Sequence, residues 1–447
     1  MAQNTQWLPK AEKENLSRIY AQRQIQSPGP YLNCYQWFIN YMAFEKKQDA
    51  QSFFEAYEAF ENKQNIKHFK LKYINLSLQK ALLLWMQGDE FEGARCFYKA
   101  YRLFNSIESN TSNEYKKLEA LFEIFLAQIP ARHQFFASIL GLRGDEAKGF
   151  KLMELYLELV NNDMGLYEEA LVAHGYCLLK FGSPSTATIS DYMNEAARHN
   201  SPLMAFIAAS LGTKGRLGNE TLSFCEALSP DHYTQFPLLH YCYGRMLINA
   251  HDPAGINQLE HYEQNYPGQT FKADASLRQA WWYHIQQQYP KRDKLISQVQ
   301  QMTDLPSSND KQAHKEAQKL QQQPQQLLQG RLFFDGGYYQ KADSVLSLLD
   351  TQQLSLHNQA NYNYRRGRVH QELQQYPLAL DNFNKVIQLT QNDKRYIGPY
   401  AAIEAARIKL TQKDTLQAKA YLEQARQLNT GEYKQDITRV IADLIAE

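Results

Sequence analysis

From Tyr31 onward, apolar and aromatic residues recur three and four positions apart. "FFEAYEAF" places Phe53, Tyr57 and Phe60 on one face of a helix. Alternating period-two runs and Val-rich runs are almost absent, so the pattern predicts helices and essentially no sheet. Short polar clusters interrupt it at "SIESNTSN", "FGSPSTATIS", "LSPDHYTQFP" and "NYPGQTF". Helical stretches of 10–18 residues between such breaks predict antiparallel helix pairs. The first 30 residues are polar and close on "SPGP". Residues 303–326, "TDLPSSNDKQAHKEAQKLQQQPQQ", are Gln-rich and lack an apolar stripe, so they predict a solvated loop or marginal helix between two blocks. The expected organisation is thus 1–30 polar segment, 31–302 helical-repeat block, 303–326 linker and 327–447 C-terminal repeats.

The helix pairs repeat. Gly330 pairs with Ala342, Gly367 with Ala379, and Ala406 with Ala418, each twelve residues apart. Tyr339 and Tyr376 sit three before that Ala; Leu346, Phe383 and Leu422 sit four after it. This small–Tyr–Ala–Phe spacing is that of a tetratricopeptide repeat: small residues let helices A and B of a hairpin touch, and the large ones fill the space around the contact. From Gly330 to Gly367 is 37 residues and from Gly367 to Ala406 is 39, longer than the usual 34. "LLLWMQGDEFEGARCFYKAYRLF" reads as a degenerate earlier copy, with Phe91, Ala94 and Tyr98 in the same relation. "GRLFFDGGYYQKA" is not a phosphate-binding loop, because such a loop needs GxxxxGK[ST] after a strand. Gly336-Gly337 is expected to be a turn between helices.

Composition narrows the function classes. Lys plus Arg (48) nearly balance Asp plus Glu (47), which argues against a nucleic-acid binder or a polybasic membrane-surface protein. Cys34, Cys96, Cys177, Cys225 and Cys242 are dispersed, without CxxC or zinc spacing. No apolar run reaches the ~20 residues of a membrane span; "FFASILGL" and "MAFIAASLG" have core-helix length. The chain as given begins without a signal peptide, giving a cytoplasmic expectation, or a periplasmic one if a signal was removed ahead of Ala2.

Two stretches carry a more particular likeness. "IPARHQFFASILGLRGDEAKGFKLM" resembles a block of the eukaryotic tetratricopeptide-repeat-thirty-nine and inclusion-body-clearance family, through Pro130, Arg132, Gly141, Leu142, Gly144, Asp145 and Gly149. The final 64 or so residues resemble that family's last repeat and closing amphipathic helix, through a "Y-x-P-x-A-x-x-E-A" pattern. "FPLLHYCYGRMLI" is similar to its middle "GR" helix. The resemblance implies an all-α fold without catalytic residues. Its eukaryotic members are linked to the mitochondrial outer membrane, lipid handling and aggregate clearance; the fold alone is carried over, because this chain lacks their long insertions.

Candidate chemistry is sparse. Of twelve histidines, His232, His240, His251 and His261 lie near one another in sequence, yet none pair at i,i+3 or i,i+4 and no HExxH occurs. There is no GxSxG and no cysteine in an electropositive context. Acidic pairs such as Glu55 and Glu58 read as solvated helix faces, and the aromatic "WWYH" as core. One pattern stands out. An arginine follows each repeat's small residue: Arg331, Arg368 and Arg407, with Arg245 after Gly244 in mid-chain. In a tetratricopeptide hairpin this position turns toward the concave groove, and guanidinium is a natural fork for carboxylate or phosphate. Against a binding role, Asp335 and Glu372 stand four residues after Arg331 and Arg368, placed for internal pairing; Arg407 has Thr411 there.

The sequence therefore predicts an all-α superhelix of tetratricopeptide-like hairpins, acting as a non-catalytic scaffold for a protein or peptide partner, without cofactor or metal. The alternatives are a carrier of lipid or another apolar ligand inside the superhelix, and a helical-toroid enzyme.

Overall fold

The computed structural model describes residues 8–23, 25, 28–61, 69–108, 112–129 and 141–446. The block around Pro130 and Arg132 lies outside them. All regular structure among the described residues is helical. In chain order the helices are α1 (Lys10–Tyr20), α2 (Pro30–Phe44), α3 (Lys47–Phe60), α4 (Lys70–Met86), α5 (Glu90–Asn105), α6 (Asn113–Ala127), α7 (Glu146–Val160), α8 (Met164–Lys180), α9 (Thr186–His199), α10 (Pro202–Lys214), α11 (Gly218–Ala227) and α12 (Pro230–Gln235). There follow α13 (Leu238–Ala250), α14 (Ala254–Asn265), α15 (Lys272–Ile285), α16 (Tyr289–Gln301), α17 (Ser308–Ala317), α18 (Gln325–Asp335), α19 (Tyr339–Ser347), α20 (Leu356–Glu372), α21 (Tyr376–Leu389), α22 (Ile397–Thr411), α23 (Thr415–Leu428) and α24 (Lys434–Ala446). Several polar breaks are helix starts: Ser112, Ser185, Ser201 and Ser355 each accept the backbone N–H three residues on, satisfying a donor the helix itself leaves open.

A local geometric signature defines the repeat. Gly88, Arg216, His251, Gln287, Gly337, Gln374 and Lys413 all have positive φ, and each lies in the turn between the two helices of a pair. Seven residues before each stands a small residue: Ala81, Ala209, Gly244, Ala280, Gly330, Gly367 and Ala406. A left-handed residue stops helix A and turns the chain back, and the small residue then meets helix B. A Cβ on Gly367 would lie 2.5 Å from the Phe383 ring, and one on Gly330 would lie 2.6 Å from Leu346. Ala342, Ala379 and Ala418 are fully buried at the same contact. The earlier copy follows the same rule, displaced by one from the sequence alignment. Gly93, twelve after Ala81, makes the close approach, against Trp85, while Phe91 and Ala94 face solvent.

The chain forms two compact units. One comprises Met1–Arg245, Gly255–Ala275 and Met302–Ala313; the other comprises Met246–Ala254, Ser276–Gln301 and His314–Glu447. They cut the chain differently from the linear division expected above. In the second unit His251 packs on Trp282 at 4.7 Å between ring centroids, and both tryptophans of "WWYH" are buried there. Residues 303–326 hold α17 and a short 3-10 turn, Leu320–Gln322, with Ala313, Ala317 and Leu320 buried. Their apolar stripe is narrow and mostly alanine, so glutamine and lysine mask it in the sequence. Within the first unit, Asp310 is wholly buried and caps α15, accepting the backbone N–H groups of Phe271 (2.8 Å) and Ala273 (3.0 Å).

The first unit has a polar centre. Lys117 of α6, 1% exposed in its side chain, donates to Glu169 of α8 at 2.7 Å. Tyr35 of α2 donates to the same carboxylate oxygen, and Asn75 of α4 donates to Tyr35. The second unit is built on alanines, with Ala379, Phe383, Val386, Ala401 and Ala405 in one cluster.

Candidate functional site

The position after each small residue runs along the A-helix face of the second unit as Trp281, Arg331, Arg368 and Arg407, on α15, α18, α20 and α22. The first two members meet: the Arg331 guanidinium lies over the Trp281 ring, 4.6 Å from its centroid. Arg331 forks onto Glu316 of α17, with Nη1 and Nη2 at 2.6 and 3.2 Å from its two oxygens. Asp335, the acid one turn along α18, is more distant at 3.7 Å. Burial works against the Arg331 charge, but Glu316 and then Asp335 outweigh it and raise the pKa.

Arg368 repeats the arrangement. It reaches Glu404 of α22 at 3.4 Å and Glu372 at 4.0 Å, donates to the Tyr364 hydroxyl at 3.4 Å and lies over the Phe334 ring. Glu404 also accepts from Gln371 at 2.9 Å. The i+4 acids are present as the sequence suggests, but the nearer acids come from other helices, which sequence spacing cannot reveal.

Arg407 is exposed on α22, and its backbone carbonyl accepts the Thr411 hydroxyl at 3.0 Å. Arg245 belongs to the first unit, apart from the other three in this division; its Nε is buried without a hydrogen-bond partner.

A fourth arginine of the second unit escaped the sequence reading. Arg365 stands three residues before Arg368, on the same face of α20. Among the described residues no acid or hydrogen-bond acceptor engages its half-buried guanidinium. Burial and then the like charge of Arg331 pull its pKa below the ordinary value, against the pull of Tyr396, Asp335 and Glu316. Its neighbour Arg366 is committed to Asp343 at 3.0 Å. The sequence signal is the Arg365-Arg366 dipeptide immediately before Gly367. Tyr396 completes the aromatic lining, its ring edge-on to Tyr400 and Tyr433.

No protein-family profile and no curated protein sequence matches this chain. Among solved structures it is similar to that of yeast Tom70, at 10% identity and a TM-score of 0.32, across 97% of this chain and 92% of that one.

The remaining candidates resolve into packing. His240 pairs with Gln258 at 2.7 Å, and His232 with Ser229 at 2.9 Å. Among the described residues no three His, Cys, Asp or Glu side chains converge as metal ligands. All five cysteines are free; burial pushes the Cys34 and Cys177 thiols up to about 12 and Cys242 to about 11, far from thiolate chemistry. No described helix is long and apolar enough to cross a membrane.

Proposed function

We propose that this chain is a non-catalytic helical-repeat scaffold that binds an acidic segment of a partner protein along the A-helix face of its second unit. The observation that carries this reading is Arg365. Arg331, Arg366 and Arg368 around it are each held by an acid, whereas Arg365 is half-buried and has none. Holding a desolvated cation without a partner is unfavourable, and an incoming carboxylate relieves that cost. The half-buried ring of Tyr396 supplies rigid contact area near it, and Arg407 extends the positive face along α22. Arg331 and Arg368 act as fixed walls in this arrangement, since their charges are already used.

The test is affinity capture from the native host with the wild-type chain and with Arg365→Gln. Loss of the principal captured protein from the variant, with its helical circular-dichroism spectrum intact, supports the reading. Retention of the same proteins at the same salt overturns the site.

A further inference from the structure

A second basic cluster of the same unit plays no part in that reading. The 3-10 turns Leu320–Gln322 and Thr351–Gln353, the start of α20 and the loop before α22 border a cleft of about 720 Å³. Small-ligand sites occupy ~300–1,000 Å³. Lys319, His357 and Arg395 face it, together with the polar side chains of Ser355 and Asn358.

Arg395 sets the chemistry. Its Nε donates to Asp393 Oδ2 at 2.8 Å, its Nη2 donates to the same oxygen, and its backbone N–H reaches Oδ1 at 2.9 Å. Asp393 is thereby occupied. The remaining nitrogen, Nη1, lies 3.3 Å from His357 Nε2. Guanidinium has no lone pair to accept with, so Nε2 is the acceptor and the neutral imidazole carries its proton on Nδ1. Burial first, then Arg395 and, more weakly, Lys319 hold His357 below its ordinary pKa, with Asp393 pulling the other way. Lys319 is exposed and reaches the cleft without an ion pair of its own among the described residues. Two permanent positive charges and a protonatable ring thus meet one carboxylate that is already engaged.

We infer that this cleft binds a small oxyanion, the phosphate or carboxylate group of a low-molecular-weight ligand, between Lys319, His357 and Arg395. The anion offsets the charge of Arg395 and Lys319, so His357 takes up a proton as it binds. By linkage, binding of an anion whose own charge stays fixed tightens as the pH falls.

Inorganic phosphate is the first probe, titrated into the full chain at constant ionic strength set with chloride. The His357 imidazole C–H resonances report protonation, assigned by their absence in His357→Gln. The expected result is a saturable shift toward the protonated form and a higher His357 pKa in phosphate than in chloride. Lys319→Gln, an exposed substitution that leaves the fold intact, weakens binding about tenfold, the worth of one charged hydrogen bond. Isothermal titration at fixed pH still shows phosphate binding to His357→Gln; with sulfate, whose charge is the same at pH 7.5 and 5.5, binding strengthens across that range in the wild type and not in His357→Gln. Succinate in place of phosphate separates the sources: saturation by both supports a general oxyanion site, and saturation by phosphate alone supports a phosphate ligand. No saturable shift with either anion, or equal affinity in wild type and Lys319→Gln, overturns the proposal.

Discussion

The two units share the small-residue contact between paired helices but differ in the chemistry of their centres. In the second, contacts between helices A and B rest on small residues meeting large ones sixteen positions on, Gly330 with Leu346 and Gly367 with Phe383. In the first, the centre holds an ion pair and a tyrosine-rich hydrogen-bond network that joins α2, α4, α6 and α8. An apolar contact degrades by increments when one partner is trimmed. A buried charge left without its partner cannot be hydrated, so the penalty falls all at once. The first unit should therefore be the more brittle under substitution at its centre.

Lys117→Met puts this to its hardest test. Removing the ammonium leaves Glu169 buried with Tyr35 as its remaining donor on that oxygen, so a loss of ~3–5 kcal/mol is expected. Adding Glu169→Gln should recover much of it, because the unpaired charge goes too. Urea melts of the single and double variants decide the point; a single-variant loss below ~1 kcal/mol would show that the pair is not a structural centre.

Acid acts on buried groups of the first unit as well. Burial holds the His174 imidazole at about 4, and in the unfolded chain a histidine titrates near 6.5. The unfolded state thus binds its proton first as the pH falls. Stability from this group is intact above pH ~6.5, declines toward pH ~4 and then levels, a ceiling near 3 kcal/mol. Glu114, held up at about 6 by burial, works in the opposite sense, returning stability as the pH falls from about 6 toward its unfolded value near 4.3. His174→Gln should flatten the acid loss relative to wild type. Parallel stability–pH curves for the two proteins would count against a neutral buried His174.

In the second unit, Ala379→Leu overfills the contact beside Phe383, at an expected ~1–3 kcal/mol. Hydrogen exchange should speed up in α20 and α21 and leave α6 and α8 unchanged. Faster exchange confined to the first unit would contradict the division of cores.

The same contrast explains what could be read from the sequence. The second unit's hairpins were legible because the defining contact spans sixteen residues and uses residue types that recur at fixed spacing. Ala209 and Ala280 hold the equivalent buried position, yet their repeats went unaligned, and the copy at Ala81 was aligned one residue off: the turn residue seven positions on is Arg, Gln and Gly respectively, and only its positive φ is shared. The first unit's links leave no period. Tyr35 reaches Glu169 across 134 residues, Ser201 bonds the Tyr20 carbonyl across 181, and Glu45 holds Thr270 across 225. Asp310 looked like solvated linker and is a buried helix cap. At the candidate site, the sequence placed the column but not its partners. Glu316 and Glu404, the acids nearest Arg331 and Arg368, come from helices whose packing spacing alone does not predict, which left Arg365 unnoticed.

The smallest expected effect lies within that column and sharpens the comparison at single-residue scale. Arg331 and Arg407 hold equivalent repeat positions, so repeat geometry alone would give them equal weight. Their surroundings differ. Arg331 is about one-fifth exposed, bidentate to Glu316 and stacked on Trp281, so Arg331→Ala removes packing and leaves a half-buried carboxylate short of a donor. A loss of ~1–2 kcal/mol follows, above the ~0–1 of a fully exposed pair because water screens this one less. Arg407 is exposed and makes no ion pair among the described residues, so Arg407→Ala should change stability by no more than ~0.5 kcal/mol. If it also weakens capture of the partner found with the wild-type chain, and more at low salt than at high, its charge serves binding, since exposed charges are screened beyond ~10 Å at 0.1 M. A stability loss from Arg407→Ala matching that of Arg331→Ala would mean that the column is a structural device throughout, and the partner face would have to lie elsewhere.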